Sequence, residues 1–246
     1  MNALFSFQQQ GFVHLDGFLP DQELRELQQH LELFIREKVP GLPREKVFYD
    51  QLGDARSLKQ IQTLFEFDDY FHGLMFGSRF ENLARELLQQ EVIGVNMQYF
   101  NKPPLTSQPT PAHQDGYYFM LEPNEAVTLW LAIDATDEEN GCVRYLPGSH
   151  QQGLRPHQPT GTIGFSQGIS DYGESEKTED IPIHSRAGDL LAHHALTIHR
   201  AEENRSRSRQ RRAIGLIYYS REARESEEKK ARQEELLSDW RKNGKI

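Results

Sequence analysis

One cysteine, Cys142, in 246 residues rules out an internal disulfide. A lone thiol of this kind reads as a small buried hydrophobe rather than a nucleophile. Long apolar runs are missing too: no window approaches the ~18 consecutive apolar residues of a membrane span. Residues 1–19 carry neither a basic n-region nor an apolar h-region, so a signal peptide is not expected. These absences predict a cytoplasmic chain with no membrane partner. Positive charge is in short supply, with 28 Lys and Arg against 37 Asp and Glu and a net charge of −9. That balance argues against a nucleic-acid partner. One segment departs from it: Arg200, Arg205, Arg207, Arg209, Arg211 and Arg212 crowd residues 200–212. Most of them read as a solvated turn entering a strand, and a small anion is a better match for the patch than a polynucleotide. No repeat and no low-complexity linker divides the chain, so residues 1–246 read as one domain, within the roughly 200–250 residues that β barrels and sandwiches reach.

What is present divides by periodicity. Residues 1–90 read as mainly helical. After Pro20-Asp21, Leu24, Leu27, Leu31 and Phe34 recur at helical spacing and predict a helix over 21–38. A second is expected over 79–89, with Leu83, Leu87 and Leu88 inward. From residue 91 to about 220 the pattern turns β-like. Strands are predicted over 92–100, 117–121, 126–133, 143–146, 189–193 and 213–219, separated by turns such as Glu139-Asn140-Gly141 and Pro147-Gly148-Ser149. Many short strands with polar turns predict a mainly β fold with flanking helices, a double-sheet jelly roll of the cupin type. Residues 150–185 form a long, polar, Gly-rich insertion that reads as a lid over a site. Residues 221–246 read as a charged C-terminal helix, with Leu236, Leu237 and Trp240 as its apolar spots.

Within this frame, His113-Gln114-Asp115 sets an imidazole and a carboxylate two residues apart. On a strand such residues share a face and can grip one metal from one side. His199, on a facing part of the roll, supplies a third donor. Two histidines and a carboxylate leave the opposite positions of a metal open, as in non-haem iron oxygenases, although catalytic zinc accepts a similar set. Arg211 and Arg212 open the strand after the last donor. A guanidinium there needs an anionic partner, because burying an unpaired charge is costly. Its N–H fork matches a carboxylate, so one of the two is expected to hold the far end of a dicarboxylate.

The chain resembles the phytanoyl-CoA dioxygenase family of Fe(II)- and 2-oxoglutarate-dependent oxygenases. The resemblance spans residues 10–219 and rests on ordered segments. It opens with Gly11-Phe12-Val13-His14-Leu15-Asp16-Gly17-Phe18-Leu19-Pro20 and continues through Asn101-Lys102-Pro103-Pro104, His113-Gln114-Asp115 and Trp130-Leu131-Ala132-Ile133-Asp134. Leu146-Pro147-Gly148-Ser149-His150, Gly188-Asp189-Leu190 and the run from His194 to His199 follow in turn. It implies a distorted double-stranded β-helix, with His113, Asp115 and His199 as iron ligands and catalytic residues, and Arg211 as anchor of the 2-oxoglutarate 5-carboxylate. Arg211 lies one residue further from His199 than the family's spacing, which leaves Arg212 as a substitute. The resemblance places Trp130, Gln98 and Lys59 at the co-substrate.

The reaction so implied takes 2-oxoglutarate, dioxygen and a small organic substrate to succinate, CO2 and a hydroxylated product. Related halogenases lack the carboxylate at the position of Asp115, so its presence favours hydroxylation. Among the remaining side chains, His194 is expected to support the site or to be structural rather than to be a ligand, His150 to brace its loop, and Arg144 is a candidate for meeting an acidic substrate. Two other readings of the same residues are a cupin-like metal enzyme that does not use 2-oxoglutarate and a non-catalytic jelly-roll binding protein. Substrate and oligomeric state are not legible.

Overall fold

A computed structural model describes residues 3–51, 53–105, 107–162 and 165–242. The chain runs from α1 (Ala3–Gln10) through β1 (Phe12–Leu15) and α2 (Asp21–Glu37) to β2 (Val47–Tyr49) and β3 (Leu58–Ile61). Helices α3 (Asp69–Met75) and α4 (Arg79–Leu88) lead into β4 (Val92–Lys102) and β5 (Thr110–His113). Next come α5 (Asp115–Phe119), β6 (Leu121–Glu122), β7 (Ala126–Ala132) and β8 (Val143–Tyr145). The insertion supplies β9 (His157–Thr162), β10 (Phe165–Ile169), α6 (Glu174–Glu179) and β11 (Ile181–Pro182). The chain closes with β12 (Leu190–His194), β13 (His199–Ala201), β14 (Arg211–Ser220), β15 (Arg224–Glu225) and α7 (Glu227–Lys242).

Two antiparallel sheets make the expected jelly roll. The larger has the order β1-β12-β7-β14-β4-β3-β2, and the smaller β11-β8-β13-β5. The central strands β7 and β14 are buried almost throughout, because both faces of the large sheet are covered. Alternation decides which cover each side chain meets. Val127, Leu129 and Leu131 of β7, with Ile214, Leu216 and Tyr218 of β14, pack on Leu24, Leu27, Leu31 and Phe34 of α2 and on Leu83 and Leu87 of α4. The intervening residues Thr128, Trp130, Arg211 and Ile217 face the small sheet and line a cavity of ≈ 480 Å³. Ser78 caps α4 by accepting from the Phe80 and Glu81 N–H groups, which sets where that helix begins.

The first ninety residues are mainly helical, and their three short strands β1, β2 and β3 extend the large sheet at both edges. Three expectations need correction. The segment predicted as a strand over 117–121 is mostly α5, a single turn of helix. The 150–185 insertion is not an open loop: β9 and β10 form a hairpin, and α6 and β11 return the chain to the small sheet. Gly, Pro and polar residues leave this strand pair, His157-Gln158-Pro159-Thr160-Gly161-Thr162 and Phe165-Ser166-Gln167-Gly168-Ile169, without an apolar alternation to mark it. Finally, β13 is the direct neighbour of β5 in one sheet, with His199 opposite His113, not a strand on a facing layer. In the tail β15 occupies Arg224–Glu225 and the helix α7 begins only at Glu227, while Leu236, Leu237 and Trp240 lie outside the described side chains. Among the described residues no helix is long and apolar enough to cross a membrane.

Candidate metal centre

His113 ends β5 and Asp115 begins α5, so the two do not share a strand as the sequence suggested. They converge because the chain turns into a helix between them. His199 arrives from the adjacent strand. Residues directly opposite in an antiparallel pair have Cβ atoms ~4.5–5.5 Å apart, and the His113 and His199 ring centroids lie 4.2 Å from each other. One donor atom from each of His113, Asp115 and His199 falls within 4.8 Å of the others. The side chains are 2%, 16% and 11% exposed.

The donor set is prepared for a metal. The His113 Nδ1–H donates to the Pro111 carbonyl at 2.8 Å, and the His199 Nδ1–H to the Thr197 carbonyl at 3.0 Å. A carbonyl can only accept, so each Nδ1 carries a proton and each Nε2 is the nitrogen turned to the centre. Burial, with His113 and His193 close by, pushes the His199 pKa well below its usual value and keeps that ring neutral. For Asp115 burial acts upward, but His199, His113 and His193 together outweigh it and hold the carboxyl well below the usual range. Two imidazoles turned to one point and one carboxylate fit a divalent iron and leave positions open on the cavity side.

Asp115 Oδ2 is held from the large sheet. Thr128 Oγ1–H donates to it at 2.6 Å and His193 Nε2–H at 3.1 Å. Thr128 and His193 are cross-strand partners on β7 and β12, which is why both reach one oxygen. The carboxylate accepts from Nε2, so His193 Nδ1 accepts in turn from the Tyr145 hydroxyl at 2.9 Å. His194, expected to be either a support of the site or a structural residue, takes the structural part. It points to the other face and meets Glu125 at 3.4 Å. Adjacent residues on a strand face opposite ways, and only the register could tell which of the two histidines faces the centre. His150, as expected, braces its loop, against the Gln8 carbonyl.

Gln114, between the two donors, ties the insertion to the site. Its Nε2 donates to the Gly153 and Leu196 carbonyls at 2.9 and 2.7 Å, and its Oε1 accepts from the Arg155 N–H at 2.8 Å. Its own N–H donates to His157 Nε2. Tyr117 stacks on the His157 ring at 4.1 Å, and the Tyr118 hydroxyl donates to the Gln167 carbonyl at 2.6 Å. Nothing in the sequence pattern marked Gln114 for this role.

The two arginines part company in the structure. Arg212 is paired, its Nε and Nη2 on the two oxygens of Asp134 at 2.9 and 2.8 Å. Arg211, on the opposite face of β14, lines the cavity and is 5% exposed. It lies 5.5 Å over the Trp130 ring, its Nε has no hydrogen-bond partner, and no carboxylate among the described residues pairs with it. Burial pulls its pKa down to about 10. Three other arginines of the basic segment are engaged: Arg200 by Asp180 and Glu202, Arg209 by Asp137 and Glu139, and Arg205 by the Glu138 carbonyl. Arg144 does not face the cavity. It pairs with Asp180 and Glu138 beneath the small sheet.

Lys59 and Gln98 do line the cavity. Lys59 Nζ lies 3.1 Å from Asp50, and Gln98 Oε1 accepts from Gln60 Nε2 at 2.5 Å. Gly215 is paired across β14 with Gln98 on one side and Trp130 on the other. A Cβ there would lie 2.9 Å from the Phe100 ring, so the missing side chain lets that cavity-lining ring pack close against β14.

A sequence profile described as phytanoyl-CoA dioxygenase matches residues 7–213. The chain is 27% identical to a phytanoyl-CoA dioxygenase of Arabidopsis thaliana, with 85% of each chain covered. It is 28% identical to phytanoyl-CoA dioxygenase domain-containing protein 1 of Bos taurus, over 88% of this chain and 89% of that one. Among solved structures, EvdO2 of Micromonospora carbonacea complexed with 2-oxoglutarate superposes with a TM-score of 0.70 at 25% identity, covering 92% of both chains. The 2-oxoglutarate-dependent carbocyclase SnoK shares the fold with a TM-score of 0.72 at 23% identity, over 90% of this chain and 84% of its own.

Proposed function

The chain belongs to the phytanoyl-CoA dioxygenase family, and from that premise we propose that it is an Fe(II)- and 2-oxoglutarate-dependent dioxygenase hydroxylating a small organic molecule, with release of succinate and CO2. The observation that carries this reading is a pair of features in one cavity: three metal donors within 4.8 Å of one another, and a buried, carboxylate-free Arg211 at the other end. A dicarboxylic keto acid satisfies both at once.

His113, Asp115 and His199 would hold the iron, which supplies activation of dioxygen when it is bound. The protein's own part is positioning. Thr128 and His193 occupy Asp115 Oδ2 and turn Oδ1 toward the other donors. The fork of Arg211 receives the 5-carboxylate of the co-substrate, with Trp130 beneath the guanidinium and Gln98 and Lys59 along the cavity wall. Tyr118 and Phe119 of α5 and Ile217 and Tyr219 of β14 give the remaining cavity an apolar, aromatic lining for the substrate. An aromatic wall of this kind keeps bulk water away from the reacting centre.

The test is direct. The purified protein is incubated with Fe(II), ascorbate and 2-oxoglutarate, and succinate and 2-oxoglutarate binding are measured. Wild type is expected to bind and to form succinate slowly without substrate. Arg211→Ala should lose both and Arg212→Ala neither. Absence of binding by wild type, or binding that survives Arg211→Ala, would refute the reading in favour of a metal site that does not use 2-oxoglutarate.

A further inference from the structure

The Arg211 end of the cavity holds more positive charge than one arginine. Lys102 stands directly opposite Arg211 in the β4–β14 register, so the two side chains share a face of the sheet. Lys102 is 4% exposed, and it lines the same cavity together with Lys59 of β3. One of its N–H groups is committed, to the Gln108 carbonyl at 2.6 Å. The charged groups acting on it are Arg211 and Lys59, which oppose its charge, and Asp50 and Glu202, which favour it. Asp50 is already engaged by Lys59, and Glu202 by Arg200. Three basic side chains thus share a buried space in which, among the described residues, neither Arg211 nor Lys102 has a carboxylate of its own.

We propose that Lys102 is a second binding residue for the far carboxylate of the co-substrate, and that this carboxylate brings a proton onto Lys102 as it binds. The inference rests on the 2-oxoglutarate reading above and adds to it a residue and a proton. A buried amine beside two cations gives up its proton readily, and burial, Arg211 and Lys59 together depress Lys102 well below its ordinary value. A carboxylate set between Lys102 and Arg211 reverses that field. It offers an acceptor to the remaining amine hydrogens, and the ammonium form then wins. Binding of a dicarboxylate therefore takes up a proton that a monocarboxylate of the same length does not.

The experiment is titration calorimetry of the Mn(II)-loaded protein, from pH 7 to 9, in buffers of different ionisation heat. The ligands are 2-oxoglutarate and 2-oxopentanoate, which carries a methyl in place of the far carboxylate. Both present the same keto-acid head to the metal, so proton changes there cancel in the comparison. Wild type should take up close to ~1 more proton with 2-oxoglutarate than with 2-oxopentanoate toward pH 9, with affinity for 2-oxoglutarate falling as pH rises. Lys102→Met should abolish the excess uptake and weaken 2-oxoglutarate roughly tenfold to a hundredfold, while leaving 2-oxopentanoate unchanged. Lys102→Arg keeps the charge at every pH, so it should bind 2-oxoglutarate without the excess proton. Equal uptake for both ligands in wild type overturns the inference, as does undiminished 2-oxoglutarate affinity in Lys102→Met. Failure of wild type to bind 2-oxoglutarate at all overturns the dioxygenase reading and this inference with it.

Discussion

Replacing Arg211 with Met should make the protein more stable and useless at the same time. The guanidinium is buried, and its pKa falls from 12.5 to about 10. A base whose pKa is lowered on folding is one whose charged form the fold disfavours, and at neutral pH Arg211 is charged. At 1.36 kcal/mol per unit the shift corresponds to about 3 kcal/mol of destabilisation. Met matches the aliphatic stem but forfeits the interaction with Trp130, worth ~1 kcal/mol. The net gain for the ligand-free protein is about 2 kcal/mol, or a rise in Tm of roughly 4–8 °C for a chain of this length. The assay is thermal unfolding with and without 2-oxoglutarate in the presence of Mn(II). Wild type should gain ~2.7 kcal/mol at a hundredfold excess over Kd, and Arg211→Met should gain nothing. Arg212→Met gives the contrast: it breaks the two-pronged bond to Asp134, lowers stability by ~1–3 kcal/mol, and retains the ligand-induced rise. The reasoning is refuted if Arg211→Met melts below wild type without ligand, or if 2-oxoglutarate still stabilises it.

Three further outcomes are expected. His193→Phe leaves Asp115 Oδ2 with Thr128 as its remaining side-chain donor, so Fe(II) affinity should fall ~10–100-fold with the fold intact, read by metal titration and circular dichroism. Gln114→Leu removes three buried side-chain hydrogen bonds; it should cost ~2–4 kcal/mol and raise amide exchange over 153–169, whereas unchanged exchange there would show that the hairpin does not depend on it. His157 is held at about 4 against an ordinary 6.5, chiefly by burial; the unfolded chain takes a proton that the folded site refuses, so stability present above pH 6.5 is lost progressively down to about pH 4, by up to ~3 kcal/mol. Denaturant titrations of wild type and His157→Gln across that window should show the variant with the shallower slope.

Sequence alone carried the chemistry and the architecture. His113, Asp115 and His199 were legible because metal binding demands particular side-chain types, and those types stand out in a chain whatever it folds into. The jelly roll was legible because alternation on a strand and 3.6-residue spacing on a helix are local properties of the backbone. The long helices over 21–37 and 79–88 followed from their leucines for the same reason. Short elements failed where local preference is weak: α5 is one turn, and the β9–β10 hairpin, rich in Gly, Pro and polar residues, has no apolar alternation.

Tertiary structure decided what depends on which strand lies beside which. Arg211 and Arg212 are equivalent in one dimension. Alternation sets them on opposite faces of β14, and only the neighbours show that Asp134 waits on one side and the cavity on the other. His193 rather than its neighbour His194 supports Asp115 because β12 and β7 pair in the register that sets His193 against Thr128. Lys102 came to stand beside Arg211 through the pairing of β4 with β14. Ligand identity is a property of residues, but the partner that holds, orients or leaves a charge bare is a property of register, and register is settled by the whole sheet.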